Sequence, residues 1–409
     1  ERPSAVCPLV NALGWVVQDE GENMATIAEF IVETLSTSGV ERVYGLSGDS
    51  LNGFTDAVRQ SRLDWVHVRH EEAAAFAAAC NHTGQLAAPW LDELWDRIGE
   101  MGFPLALLAE SEGGFGLDPQ LAFGLVRQAA SHALPLPLGE TMLANHLLSD
   151  AGLALAEGPA GLAGRLDFRR DGAGWRITGK VQGIAWGRRL QVLVASNAQG
   201  RLARITEGWR VEEGQNLAGE PRDGLHIDAL ITAQSCAESA LPPGQMQALG
   251  ALLRVQSIAG ALEGMLARTI QYANERVQFG RPLSKFQVIQ HQIAVLAGQT
   301  AAARASADMA AAAFSGRTSD PAAFQRRIAA AKLRAGEAAS LCAPMAHQIH
   351  GAIGITREFP LHPLTRRLWA WRDEYGSEAE WAELLGTEVL RGGHRAFWPG
   401  LTETIGAAQ

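Results

Sequence analysis

The sequence predicts a multidomain α+β protein in which a small antiparallel β domain lies between two helical domains, behind a short βαβ fragment. Three observations carry that reading. From Pro89 to about Asp150, and again from residue 246 onward, apolar residues recur at helical spacing. Residues 151–245 shift to Gly, Arg, Val and Trp in short alternating runs, and residues 24–80 alternate helical and extended stretches. With 409 residues, 47% of them hydrophobic, the chain can bury a large core in roughly two to four structural units.

Residues 1–23 show no usable periodicity and are expected to form an unstructured lead. They lack the basic n-region of a signal peptide, and Met24 is expected to lie closer to a natural start. In residues 24–80, ATIAEFIVETLSTSG is a helix stopped at Gly39, ERVYGL a strand, SGDSLNGFTDAVRQS a turn into a helix and LDWVHV a second strand. That is one βαβ unit. Residues 81–150 read as a truncated helical domain, reopened by Pro89 and interrupted by EGGFGL and LPLPLG. Residues 151–245, with runs such as GWRITGK and LQVLVAS, form the β domain. Residues 246–409 form a C-terminal bundle with three helices of about 30 residues each, longer than the globular average, which points to faces completed by another subunit.

Composition excludes several classes. A net charge of -9 without any run of Lys or Arg argues against a nucleic-acid surface. No apolar stretch reaches the roughly 18 residues that span a bilayer. Cys7, Cys80, Cys236 and Cys342 lie far apart with no CxxC or Cys/His spacing, so neither a disulfide framework nor a metal site is expected, and the cytosol is the expected compartment.

Two stretches carry chemistry, YANERVQFGRPLSKFQ from Tyr272 to Gln287 and QIHGAIGITREFP at 348–360. Arg276, Phe279 and Gln287 fall just after a helix, where an arginine can offer a planar fork to a pyrophosphate and a glutamine can pair with an adenine or ribose edge. The alternative is that Arg276 caps its helix C-terminus. Gly351 suits close backbone approach to a ligand, and His350 beside it is more often a packed residue than a catalyst.

With these two motifs in this order, and more weakly with EGGFGL and LPLGET, residues 86–409 resemble the acyl-CoA dehydrogenase family and its α-helical, β and α-helical domains. The resemblance implies bound FAD, a homo- or hetero-oligomer, α,β-desaturation of an acyl-CoA thioester, and electron-transfer flavoprotein or a similar acceptor. It assigns Arg276, Phe279 and Gln287 to the loop that grips the FAD of a neighbouring subunit. It assigns Gln348, Ile349, Gly351 and Ala352 to the segment whose backbone approaches the dinucleotide, with Ala352 where a second glycine is usual.

Three departures bear on catalysis. Where the family presents Trp-x-Thr-Asn against the flavin, this chain has Gly183 and Ala185; the hydroxyl is missing, while Trp186 can stack on the flavin and backbone N–H groups can still polarise it. The position of a substrate-orienting arginine aligns with Ala251, and Arg254, one turn on, either takes over or is a salt-bridged helix residue. The two family positions of the catalytic glutamate align with Tyr375 and Gly250. Removing the α-proton needs a carboxylate, so Asp373 or Glu374 is expected to supply it, with Glu374 the first choice and Tyr375 a wall of the substrate pocket; otherwise the base comes from a partner. Subfamilies with a divergent base often pair as unlike subunits on bulky substrates such as steroid side-chain thioesters.

Residues 24–79 resemble the pyrimidine-binding domain of thiamine-diphosphate enzymes of the pyruvate oxidase type, with Glu71 of VRHEEAAAFAAA at the family's activating glutamate. No GDG occurs in the chain, so the diphosphate- and magnesium-holding part is missing. The stretch 68–95 thus joins two unrelated pieces. The expected activity is that of an FAD-dependent acyl-CoA dehydrogenase, and the alternative is a non-catalytic FAD-binding subunit or an inactive chimera.

Overall fold

A computed structural model describes residues 27–38, 40, 42–45, 52–67, 90–242, 244–356, 359–393 and 399. Glu71, Pro89, Cys7, Cys80 and the lead therefore lie outside the described residues. The chain divides into two units, Glu1–His82 and Thr83–Gln409.

The first unit contains α1 (Ile27–Thr37), β1 (Arg42–Gly45), α2 (Asn52–Arg59) and β2 (Asp64–His67). The strands pair in parallel, with Arg42 opposite Asp64, as a βαβ crossover requires. Its core is Val32, Ala57, Val58 and Leu63, with Phe54 and Leu35 packed beside them.

The second unit opens with α3 (Asp92–Glu100), α4 (Pro119–Ser131) and α5 (Leu138–Asp150). Asp118 caps α4 by accepting from the Gln120 N–H, with Pro119 in the first turn. Helix α5 is buried on almost every side from Leu138 to Leu148, the signature of a core helix. Eight strands follow: β3 (Ala160–Arg165), β4 (Asp167–Asp171), β5 (Gly174–Ala185), β6 (Val192–Ser196), β7 (Arg201–Ile205), β8 (Trp209–Glu212), β9 (Arg222–Ile231) and β10 (Cys236–Glu238). They form two four-stranded sheets, ordered β10-β7-β6-β3 and β4-β5-β9-β8. The β3–β6 pair is parallel and the rest are antiparallel. Ile177, Leu193, Ala203, Leu225 and Ile227 share the core of this region. The β5–β9 register shifts between Val181 and Ile184, where Gly183 takes φ 74°. Such a bulge bends the strand end, and here it leads into Ala185 and Trp186.

The C-terminal bundle consists of α6 (Gln245–Glu275), a hairpin of β11 (Val277–Gln278) and β12 (Arg281–Pro282), α7 (Gln287–Ala312), α8 (Pro321–His350), α9 (His362–Trp371) and α10 (Glu378–Gly392). Its three long helices have 31, 26 and 30 residues. Helix α6 is the central post, buried all round from Ala248 to Leu262. Two glycines let α4 lie against it. A Cβ on Gly260 would stand 1.9 Å from the Arg127 carbonyl oxygen, and one on Gly264 would stand 2.3 Å from that of Ser131. Glycines four apart on one helix thus face carbonyls four apart on the other, on matching faces.

Because the Arg127 obstacle is backbone, Gly260→Ala is expected to cost about 1–3 kcal/mol through overpacking. Gly298→Ala on α7, where a Cβ meets nothing within 4 Å, should leave stability unchanged or raise it by up to about 1 kcal/mol through helix propensity. Urea midpoints of the two variants check both.

Candidate active site

A cleft opens where the helical front, the β region and the bundle meet. It is lined by Val126 and Ala130 of α4, Leu134 to Glu140, Ala185 and Trp186 at the end of β5, Glu220 and Arg222 at the start of β9, Leu253, Arg254 and Ser257 of α6, and Trp371 of α9.

Six charged side chains form an alternating chain across this cleft. Arg367 donates to Glu220 Oε1 (2.9 Å). Arg222 donates to Glu220 Oε2 (2.9 Å) and to Glu374 Oε1 (2.8 Å). Arg254 donates to Glu374 Oε2 (2.5 Å) and Glu140 Oε1 (2.6 Å). Asn216 bridges Glu220 (2.9 Å) and Glu374 (2.8 Å), and the Trp371 indole N–H donates to Glu220 (2.8 Å). Three arginines and three glutamates leave no net charge, which is the condition for burying them. Burial pushes the Glu220 carboxyl up, but Arg222 and Arg367 outweigh it and hold it at about 2. Burial likewise opposes ionisation of Glu374, and Arg222 and Arg254 outweigh it, so its carboxyl sits below the usual range. Against the opposing effect of burial, Glu374 and Glu140 raise Arg254 well above its ordinary value.

The loop carrying Glu374 is held from below. The fully buried Lys332 of α8 donates to the Arg372 carbonyl and to that of Gly376 (3.0 Å). Burial pulls the Lys332 ammonium down to about 8. Tyr375 takes φ 57°, and its ring lies against Gly250, where a Cβ would come within 2.1 Å of Cδ1. The two positions aligned with the family's glutamate therefore meet in space, filled here by a phenol and a hydrogen. Burial pushes the Tyr375 phenol up to about 12, so it stays neutral. The Arg254 guanidinium lies 5.5 Å from its ring centre.

Of the other expected residues, Arg254 is buried in the network, as a salt-bridged residue would be. Ala185 pairs with Arg222 across β5 and β9. Trp186 takes φ 54° and packs edge-on to Trp90 at 5.1 Å. Its backbone N–H donates to the Pro221 carbonyl (3.2 Å), so that amide is not available to polarise a ligand. Arg276, Phe279 and Gln287 lie on or beside the hairpin, outside the cleft and exposed; Phe279 is 91% exposed at φ 51°. Arg276 is the C-cap residue of α6, its backbone N–H donating to the Tyr272 carbonyl (2.9 Å), while its guanidinium bonds no carbonyl or carboxylate among the described residues, so it holds the capping position and still presents its fork outward. Gln348 and Ala352 are exposed, Ile349 is buried, and Gly351 takes φ 63° with open space where a Cβ would stand. His350 is a packed residue: its ring stacks on Tyr272 at 4.5 Å and its Nδ1–H donates to the Ala346 carbonyl (2.7 Å). Asp373 is exposed and pairs with Arg372 (3.8 Å), outside the network. Sequence reasoning missed Glu140, Glu220, Arg222 and Arg367. Of these, Glu140 stood in the noted stretch LPLGET, read there merely as a family marker, and Arg367 a few residues before the carboxylates considered as the base.

A family model described as acyl-CoA dehydrogenase, C-terminal domain, matches residues 248–378, and one described as thiamine pyrophosphate enzyme, N-terminal TPP binding domain, matches residues 25–86. An uncharacterized 42.6 kDa protein of Pseudomonas amyloderamosa is 55% identical over 64 residues, 15% of this chain and only 16% of that protein. Acyl-CoA dehydrogenase IpdE2 of Mycobacterium tuberculosis is 30% identical over 284 residues, 68% of this chain and 80% of that protein. Among solved structures, the ChsE4-ChsE5 complex of Mycobacterium tuberculosis superposes with a TM-score of 0.66 at 21% identity, covering 76% of this chain and 92% of that one, a likeness of fold. With that extent of identity to IpdE2 and the matched C-terminal domain, the chain belongs to the acyl-CoA dehydrogenase family of oxidoreductases, preceded by a segment of the thiamine pyrophosphate enzyme type.

Proposed function

We propose that the chain is an FAD-dependent acyl-CoA dehydrogenase subunit that desaturates an acyl-CoA thioester between Cα and Cβ within an oligomer. The observation that carries this reading is the cleft itself. Carboxylates and arginines converge on the place where the family's two base positions meet, beside an apolar wall of Val126, Ala130, Leu134, Leu138 and Leu253 suited to an acyl group. FAD, when bound, supplies the acceptor for hydride. The residues fit its phosphate and adenine half: Arg276 offers a free fork, Phe279 projects into solvent, and the backbone at Gly351 is open to close approach. Toward the flavin ring, Trp186 offers its indole, while Ala185 offers no hydroxyl. This chain's own groups orient the thioester, exclude water and accept a proton.

A second reading is favoured by one specific observation. Glu374, the base expected from the sequence, has both oxygens occupied by Arg222, Asn216 and Arg254, and the arginines keep it a weak base. On that reading the chain grips FAD for a partner that carries the base. Anaerobic titration of the FAD-loaded chain with butyryl- and octanoyl-CoA separates the two. Bleaching of the flavin by the chain alone is expected on the first reading; bleaching only after a partner chain is added supports the second.

The network also sets an acid limit. Glu220 and Glu374 have depressed folded values, so the stability they contribute is complete above the ordinary 4.5 and is lost as pH falls below it, for Glu220 toward about 2. Melting temperatures should begin to fall below about pH 6.5, where buried His347, held down to about 4, resists the charging that its unfolded form undergoes, and fall further below about 4.5 as the two carboxylates lose their contribution. Glu374→Gln leaves Arg222 and Arg254 short of one charge, at a cost of about 3–5 kcal/mol at neutral pH, and should flatten the acid dependence. A variant as stable as wild type would show the network to be energetically idle.

A further inference from the structure

We propose that Glu140 is the proton acceptor of the cleft and that Glu374 serves as the counter-charge that positions Arg222 and Arg254. The proposal rests on the dehydrogenase reading above.

Hydrogen bonding separates the three cleft carboxylates. Glu220 gives Oε1 to Arg367 and Oε2 to Arg222, Trp371 and Asn216. Glu374 gives Oε1 to Arg222 and Asn216 and Oε2 to Arg254. Neither has an oxygen left for a substrate. Glu140 gives only Oε1, to Arg254; among the described residues Oε2 has no hydrogen bond, it is not enclosed by protein, and Glu140 lines the cleft. The residue is 6% exposed. A base needs one free oxygen in a place shielded from water, and among the cleft carboxylates Glu140 alone meets both demands.

Its aim is fixed from two sides. A Cβ on Gly139 would stand 3.0 Å from Leu253, so the first turn of α5 lies directly on α6. Thr141 ties that turn to β3 through its hydroxyl, which donates to Pro137 (2.9 Å) and accepts from the Ala160 N–H (3.1 Å). Arg254 then anchors one oxygen and leaves the other unbonded in the cleft that Ala185 and Trp186 also line. In the proposed step the Cα–H bond breaks and its proton passes to Glu140 Oε2. FAD, when bound, would supply the two-electron acceptor for the Cβ hydride, which balances formation of the Cα–Cβ double bond. The thioester loses one proton and one hydride.

The test follows deuterium entry at Cα of octanoyl-CoA in heavy water with the FAD-loaded full chain, alongside flavin bleaching, octanoyl-CoA binding by calorimetry and melting temperature. Glu140→Gln keeps an oxygen for Arg254 and removes the base. It is expected to hold FAD, to bind octanoyl-CoA within about threefold of wild type, and to lose 10²–10⁴ in deuterium entry together with the acid limb of its pH profile. Glu140→Asp, which keeps the charge but withdraws it by one methylene, should fold normally and fall between the two. Glu374→Gln, measured where it is folded, should lose less than about tenfold. Deuterium entry at the wild-type rate in Glu140→Gln, or equal losses of binding and melting temperature in both Glu140 variants, overturns the proposal while leaving the dehydrogenase reading intact. A wild-type chain that neither bleaches nor exchanges overturns that reading, and this proposal with it.

Discussion

The alternating chain Arg367–Glu220–Arg222–Glu374–Arg254–Glu140 is the constraint on which the rest of this unit depends. Its members come from α9, the start of β9, the loop after α9, α6 and the first turn of α5, so it ties the bundle, the β region and the helical front at one point. Buried charges are tolerated only in pairs, and losing one strands its neighbour. The network therefore contributes less as a source of stability than as a demand on geometry. Any displacement of β9 against α6 pulls Arg222 and Arg254 from their shared carboxylate. Lys332 reinforces that demand by fixing the backbone on which Glu374 is carried.

The surface hairpin has the opposite character. Phe279 is almost wholly exposed, Val277 and Val288 are largely exposed, and Arg276 is unpaired among the described residues. Apart from the edge-on contact of Phe279 with Phe286 at 6.3 Å, apolar and cationic groups held this way on or beside a two-residue ladder gain little from their own chain. A site assembled partly in a sealed, charge-neutral cleft and partly on an outward loop is consistent with function in an oligomer, where another copy or a related chain faces the loop.

Much of the fold was legible because its signals are local. The three long helices follow from period alone, and the β region from alternation and glycine placement. The motifs around Arg276 and Gly351 were legible for the same reason. The network was not, because its bonds join residues far apart in sequence: 114 positions between Glu140 and Arg254, 147 between Glu220 and Arg367, 152 between Arg222 and Glu374. No pattern within one element announces such pairs. The one-residue ambiguity between Glu374 and Tyr375 was likewise settled by backbone conformation. The positive φ at Tyr375 turns the phenol onto Gly250, while the preceding carboxylate lies among the arginines. An L-residue in that region is unusual, and nothing in WRDEYGS required it.

The neutrality of the cleft has a chemical consequence of its own. Each of its arginines already holds carboxylate oxygens at 2.5–2.9 Å, so none is free to receive an anion. An acyl group ending in a carboxylate would bring an unpaired charge into a low-dielectric site, where the cost is far greater than in water. A neutral apolar acyl group meets no such cost and gains from the walls of α4, α5 and α6. On the dehydrogenase reading, the same six residues that lock the domains together therefore act as a filter against charged acyl tails. The filter works by leaving no positive charge unspent, rather than by steric exclusion.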